Sequence, residues 1–178
     1  MDNKSEDDLS ARRYSDWNNP DAIYFHGTTK RHADAIRRDG IDPACGAPNT
    51  DFGSGFYTTT NREQAAEWAD ARASSTGDTA VVLQLTVKRP ELARLRNLSF
   101  VQPTEDYWSL VERCRDRNDD PYCTGEHYDV INAPVAKRWF GSAAYEIHQG
   151  YDQTSFHGDK AKAFLNDPSI CKVEEVTE

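Results

Sequence analysis

Apolar and polar positions change period several times along the chain, and each change marks an element. Residues 22–27 (AIYFHG) set Ile23 and Phe25 against Tyr24 and His26, the two-residue alternation of a strand. Thr28 then stands as a helix N-cap. Thr29, Ala33 and Ile36 recur at helical spacing, and Gly40 ends the helix. Residues 41–55 lose all periodicity and are rich in Pro, Gly, Asn and Asp, which predicts a loop. A loop of that length within a compact domain is usually functional or mobile. GFYTTT (55–60) predicts a second strand. Asn61 caps the helix after it, with Gln64 at the capping-box position and Ala65, Trp68, Ala69 and Arg72 on one face.

The longest apolar run, AVVLQLTV at 80–87, lies in the strongest predicted strand, 79–87. Pro103 and Thr104 open a helix to about residue 117, with Trp108, Val111 and Cys114 on one side, and residues 116–126 are a polar loop. Strands are predicted at 127–132 (HYDVIN), 143–148 (AAYEIH) and 151–157 (YDQTSFH), then a short helix at 159–165 and a closing strand at 170–176. Residues 1–20 read as a polar arm, helical around 6–15 and ending at Asn18-Asn19-Pro20, and residues 21–178 as one domain. Helices are inserted early and strands dominate the second half. This is not a βαβα alternation, so the expected class is α+β with a mixed or antiparallel sheet and peripheral helices.

Composition changes this picture little. The chain has 178 residues, enough for one core without a disulfide or metal staple. Its 21 Lys and Arg against 30 Asp and Glu give a formal charge of −9, which argues against a protein held to duplex DNA by its phosphates. Nothing approaches the length of a membrane span or a signal-peptide core, so the expectation is a soluble, cytoplasmic chain without a membrane partner, or one delivered into a target cell by a larger system. Cys45, Cys114, Cys123 and Cys171 form no C-x-x-C pair and are expected to be reduced. The five histidines show no metal-ligand spacing, so no metal site is expected.

Three segments carry candidate chemistry. His26-Gly27-Thr28 closes the first strand, and Gly27 lets a backbone or ligand approach closely. Asp51-Phe52-Gly53-Ser54-Gly55-Phe56-Tyr57 has two glycines. It lacks the third glycine of a dinucleotide fingerprint, and a strand follows where a helix should, which excludes a Rossmann or P-loop site. Tyr57 and Trp68 could lie either side of a flat ligand, although two rings at that spacing are more often core. The third segment is Tyr151-Asp152-Gln153-Thr154-Ser155-Phe156, in which Asp152 and Gln153 start a strand and a Gln is by default a solvent-facing strand residue.

In this order the three segments resemble the ADP-ribosyltransferase superfamily of the diphtheria-toxin and poly(ADP-ribose)-polymerase type. Its H-Y-E pattern maps onto His26, Tyr57 and Gln153. The stretch DFGSGFYTTTNREQAAEWA, with HYDVINAPVA and the late D-Q strand, looks closer still to an uncharacterised bacterial, DUF3990-like branch. The resemblance spans roughly 22–165 and implies a split mixed or antiparallel β-sheet core that takes NAD as substrate. It implies that His26 binds a ribose hydroxyl, that the Gly27 backbone holds the nicotinamide amide, and that Tyr57 and Trp68 sandwich the ring. Thr28, Phe52, Gly53, Gly55 and Phe56 would complete the NAD site, with loop 41–54 draped over it.

The pattern's Glu is Gln153 here. An amide can hold a hydroxyl but brings no charge, so a neighbouring carboxylate, Asp152 or Glu146, would supply it, or the domain binds NAD without reacting. The resemblance also implies Ala65 in place of a hydroxyl near the nicotinamide. The implied function is a mono-ADP-ribosyltransferase of the toxin or effector kind, acting on a protein or nucleic-acid acceptor, with an antitoxin or immunity partner. The alternatives are a silent NAD or ADP-ribose binding module, an NAD glycohydrolase and, least favoured, a tRNA 2′-phosphotransferase, which would need more than Arg31, Arg37 and Arg38. Residues 97–126, with Trp108, Arg113, Arg115, Arg117 and Asp119-Asp120-Pro121, depart most from a minimal core and are a candidate contact region for substrate or inhibitor.

Overall fold

The computed structural model describes residues 20–116, 127–139 and 144–176. The predicted arm thus lies outside the described residues except for Pro20, and so do Arg117, Asp119, Asp120, Pro121 and Cys123.

Strand β1 (Ala22–Thr29) leads into helix α1 (Lys30–Asp39). The cap residue is Thr29, not Thr28, which is buried within the strand, and Gly40 ends the helix at φ 84°. A single 3₁₀ turn, Pro43–Cys45, interrupts the long connection to β2 (Phe56–Thr58). Helix α2 (Arg62–Thr76) follows, then β3 (Ala80–Val87). The short helix α3 (Arg89–Leu92) and strand β4 (Asn97–Ser99) have no counterpart in the sequence reading. Helix α4 (Glu105–Asp116), β5 (Val130–Arg138), β6 (Glu146–Phe156), α5 (Gly158–Leu165) and β7 (Cys171–Glu175) complete the order.

The strands form two sheets, β1-β3-β7 and β2-β6-β5-β4. All pairs are antiparallel except β4 with β5. This is the α+β class expected. A single bridge, Phe25 to Thr59, joins the sheets: Phe25 N–H donates to Thr59 O at 2.7 Å and Thr59 N–H to Phe25 O at 2.9 Å.

The core has two main parts because β5 and β6 are covered on both faces. One face carries Val130 and Phe156, which meet Tyr24, Phe56, Leu85 and Val87 and, from α5, Phe164 and Leu165. The next residue along β5, Ile131, points the other way with Ala133, into Phe52 and the α4 residues Tyr107, Leu110, Val111 and Cys114. Along α4, Trp108 is only partly buried and packs at the edge of this cluster.

Several expectations need correction. The predicted strands at 143–148 and 151–157 are one strand. β6 pairs with β5 on both sides of the interval, Asp152 opposite Pro134 and Ile147 opposite Ala136, so residues 148–151 bulge from the ladder at Gly150, where φ is 77°. β5 runs on through Pro134, which a strand tolerates here because β4 pairs only as far as Asn132 and leaves no donor to lose. The Asn61 side chain caps α2 through the N–H groups of Glu63 and Gln64, but Gln64 does not reach back to complete a box. The buried face of α2 is Gln64, Ala65, Ala69 and Ala73, which leaves Trp68 beside it at 48% exposure. Finally, Cys114 is disulfide-bonded, against the expected reduced state, while Cys45 and Cys171 are free. No described helix is long and apolar enough to cross a membrane, and no metal-ligand cluster occurs among the described residues.

Candidate functional site

The sequence motifs converge where the two sheets part. His26 lies near the end of β1. Its ring stacks on Phe56, with centroids 4.2 Å apart at 30°, and its Nδ1 sits 2.6 Å from the Tyr57 carbonyl. That carbonyl only accepts, so Nδ1 carries the proton and Nε2 is left as a bare acceptor. Burial pushes the imidazole down to about 4, so it is neutral at physiological pH.

Gly27 follows. Its missing Cβ is used first by the protein itself, because a Cβ there would lie 1.9 Å from the Ala65 carbonyl oxygen of α2. The close approach that the sequence marks is therefore a strand–helix contact. Its peptide groups remain interesting. Phe25 turns its N–H and C=O away from β3 to reach Thr59, and in an antiparallel ladder alternate residues face the same way. Gly27, opposite Val82, therefore aims its N–H and C=O out of the ladder into the gap beyond the bridge.

Tyr57 is half-buried on β2. Its hydroxyl donates to Gly53 O at 2.8 Å and accepts from Thr50 Oγ1 at 2.8 Å and Phe52 N–H at 3.0 Å. Burial holds the phenol far above its usual range. The long loop is thus sewn to the strand at 50–53, and Gly53 supports the turn at φ 75°. Phe52 is fully buried against Tyr107, Phe56 and Thr28 are buried in the core, and Gly55 touches the His157 ring so closely that a Cβ would stand 2.6 Å from it. These residues, expected to complete an NAD site, are instead packed inside the protein. Tyr57 and Trp68 are not in ring contact. Trp68 belongs to the α2 turn between Ala65 and Ala69, the two residues whose backbones touch Gly27.

Gln153 is buried on β6, and its Nε2 donates to Asp51 Oδ2 at 2.6 Å and to Pro134 O at 2.9 Å. Both are pure acceptors, so they fix the NH₂ side of the amide. Every buried side-chain N or O among the described residues has a partner. Gln153 Oε1 has none, so it reaches the accessible surface. Asp51 is 2% exposed and also takes the Ala136 N–H at 2.8 Å and a fork from Arg115, whose Nε lies 2.8 Å from Oδ1. The Arg115 guanidinium in turn sits 3.6 Å over the Trp139 ring. The carboxylate beside Gln153 is therefore Asp51, not Asp152 or Glu146. Asp152 points to the opposite face of β6, to the Thr59 hydroxyl at 2.6 Å and the Thr60 N–H. Glu146 pairs with Lys137 and Arg138.

Sequence reasoning missed three supports. In the sequence Asp51 stands only as part of a loop. Gln64 docks on β6 like a strand peptide, its Nε2 donating to Asp152 O at 2.8 Å and its Oε1 accepting Asp152 N–H at 3.2 Å, which fixes the residue before Gln153. His157 is 1% exposed, and its Nδ1 meets Ser54 O at 2.9 Å and its Nε2 the Ser155 hydroxyl at 2.8 Å. Burial lowers it to about 4, so it is a neutral pin for the loop.

Chemically, these residues leave two hydrogen-bond acceptors unused, His26 Nε2 and Gln153 Oε1, with a free peptide edge at Gly27 and an exposed indole at Trp68. No curated protein matches the chain. The family described as "Protein of unknown function (DUF3990)" matches residues 23–155, most of the chain, and the protein belongs to that family.

Proposed function

We propose that the domain is an NAD-dependent mono-ADP-ribosyltransferase. The observation that carries this reading is the chain of hydrogen bonds that runs from His26 through Tyr57 and the 50–53 turn to Gln153 and leaves His26 Nε2 and Gln153 Oε1 unused. A ribose diol is a pair of O–H donors, and His26 Nε2 and Gln153 Oε1 are a pair of acceptors. A primary carboxamide has an N–H and a C=O side by side, and Gly27 presents the matching groups. Trp68 supplies an apolar face for a flat ring. Arg72 lies close enough to His26 to act on its charge, and places positive potential for the pyrophosphate of an anionic substrate on a net-acidic protein.

In the reaction, the bond between ribose C1′ and the nicotinamide nitrogen breaks, and nicotinamide leaves with the bonding pair. The acceptor's nucleophilic atom bonds to C1′ and gives up a proton to solvent or to a neighbouring base. The ribose passes through an oxocarbenium-like state, so catalysis consists of holding the diol and the leaving group while positive charge develops. The acceptor, a protein or a nucleic acid, belongs to this proposal, and so does an immunity partner for a toxin or effector.

The test is incubation of the full chain with NAD carrying a label in its adenylate half, alone and with cell lysate. Transferred label and released nicotinamide are expected, both abolished by His26→Ala. Absence of both, with no NAD binding by calorimetry, rejects the reading. One observation favours a second reading. Gln153 is neutral, and its NH₂ is already spent on Asp51 and Pro134. A module that binds NAD without cleaving it would show calorimetric affinity with no nicotinamide.

A further inference from the structure

The H-Y-E resemblance makes the neutral amide at position 153 look like a lost carboxylate, to be restored by Gln153→Glu. The geometry points to the opposite. We infer that Gln153 and Asp51 form one functional unit, in which Asp51 is a positioning residue that locks the amide with Oε1 toward the gap, so that an amide is required at 153 and a carboxylate there is harmful. For its catalytic consequence this rests on the NAD reading above, but the unit itself does not.

Asp51 Oδ2 and Pro134 O bracket Gln153 Nε2 at 2.6 and 2.9 Å, and neither can donate while Asp51 is ionised. The amide therefore cannot flip without setting its oxygen against two acceptors. Asp51 is itself over-determined by the Arg115 fork on Oδ1 and the Ala136 N–H on Oδ2. Donation of an N–H to a carboxylate is charge-assisted, and it polarises the amide so that Oε1 becomes a better acceptor. The unit thus does part of a carboxylate's work at the ribose, with the formal charge one hydrogen bond deeper, on the carboxylate that Arg115 forks. A glutamate in place of Gln153 would put a second carboxylate against Oδ2 at the distance now spanned by an N–H···O bond. Two carboxylates so placed do not both ionise and share a proton instead.

The groups facing the pair are few. Arg115 and Tyr107 face it from α4, with the Tyr107 hydroxyl 3.0 Å from Pro134 O, and Tyr57 faces it from β2. Both phenols are neutral well beyond physiological pH. Ala136 and Pro134 on β5 bring only backbone, and Asp152 is turned away. Among the described residues, Arg115 is thus the one basic side chain bonded to the pair, and a new titration in Gln153→Glu would belong to that glutamate and Asp51.

The experiment uses the full chain as wild type, Gln153→Glu, Asp51→Asn and the double variant Asp51→Asn/Gln153→Glu. Carboxyl NMR and thermal midpoints are followed from pH 5 to 8 without NAD. Nicotinamide release and NAD affinity are measured at both ends of that range. Gln153→Glu should show a carboxyl titration displaced upward from the ordinary glutamate range and a midpoint that falls relative to wild type as pH rises. It should release nicotinamide at least about tenfold more slowly than wild type at pH 8, with a smaller deficit at pH 5. The double variant keeps one carboxylate in the pair, so both effects should shrink. Asp51→Asn should lower kcat about 10–100-fold with KM for NAD little changed, because the binding groups remain and only their aim is lost. In wild type, the Gln153 side-chain NH₂ should exchange slowly with solvent, and in Asp51→Asn quickly, a readout that survives if a glutamate variant does not fold. Full activity of Gln153→Glu at pH 8, a deficit independent of pH, or a fast-exchanging wild-type NH₂ overturns the inference. A coupled carboxyl pair in a protein that neither binds nor cleaves NAD rejects the NAD reading alone and leaves the Asp51–Gln153 unit standing.

Discussion

Two aspartates are buried against arginines at opposite ends of β5, each with a side chain 2% exposed, and they do different things. Asp129, just before the strand, takes the Arg96 backbone N–H at 2.9 Å and the same residue's Nε at 3.1 Å and Nη2 at 2.6 Å. One residue fills both its oxygens, and the Arg96 side chain stays 42% exposed. Burial works against that carboxyl, but the bonds from Arg96 outweigh it and hold it below the usual range. This is a local staple between the start of β5 and the residue before β4. Asp51 gathers its donors from α4, β5 and β6, and its arginine is only 19% exposed. The same pair chemistry thus closes a seam in one place. In the other it ends in a side chain, Gln153, whose last acceptor faces outward. A buried ion pair is weak evidence for stability as such, and the difference between these two lies in what they orient.

The largest expected effect tests this directly. Asp51→Ala leaves Arg115, the Ala136 N–H and the Gln153 NH₂ without their acceptor, and should cost about 3–5 kcal/mol in urea unfolding. Asp129→Ala leaves an arginine that water can reach, so its loss should be clearly smaller. Equal losses would break the distinction.

The two ends should also part in their response to acid. His157 pins the loop that carries Asp51, and its folded value of about 4 lies below the ordinary 6.5. A depressed value means that the unfolded chain takes the proton first. The contribution of His157 is therefore whole above about pH 6.5 and is lost as pH falls toward 4, by up to roughly 3 kcal/mol. Asp129 is also depressed, but from 3.8, so its contribution survives that whole window and is lost below it. Amide protection, exchange measured against the intrinsic rate at each pH, should fall across residues 50–57 between pH 6.5 and 4 before it falls across 96–99 and 129–132, and His157→Gln should flatten the difference.

What could be read from the sequence follows from how far each relation reaches along the chain. The period-two runs gave β1 and β3 because their burial is decided by neighbours in the same strand. Gly40 and Asn61 marked helix ends because capping is local. β6 was cut in two because Gly150 looks like a break, and only pairing with β5 shows that it is a bulge. His26, Gly27, Tyr57 and Gln153 stood out as strand-borne motif residues. Asp51 did not, because its partners are 64, 85 and 102 residues away and nothing nearby signals that its side chain turns inward. The same distance explains why Asp152, adjacent in sequence, drew attention that its place on the other face of β6 does not support.

A third contact extends the comparison to the opposite wall of the gap. There the wall is positioned by an absence. Gly27 lets α2 approach β1 so closely that a methyl group would collide with the Ala65 carbonyl at 1.9 Å. Backbone cannot rotate out of the way as a side chain can, so Gly27→Ala should push α2 outward and cost about 1–3 kcal/mol. The shift should loosen the Gln64 bonds to Asp152, which makes faster exchange at the Asp152 amide a specific readout. A stability loss without it would mean that α2 positions its own wall but not β6.

The smallest effect on stability is expected where the surface is most open. Trp68 lies 48% exposed and stacks on no described ring, so Trp68→Ala should change unfolding free energy by no more than about 0.5 kcal/mol. A large exposed indole beside a glycine contact is poorly explained by packing, since the buried stripe of α2 is alanine and Gln64. If the gap takes a flat ring, removal of the indole should weaken NAD binding by tenfold or more, following the roughly 0.5–1.5 kcal/mol of an aromatic pair together with its lost apolar contact. The ratio of the two losses would be the reverse of that for Asp129→Ala, which should destabilise the fold and leave NAD affinity alone. Calorimetry and urea titration on the two variants would therefore separate side chains that hold the fold from those that face the ligand. A Trp68→Ala protein that unfolds early and binds NAD normally would place the indole on the wrong side of that line.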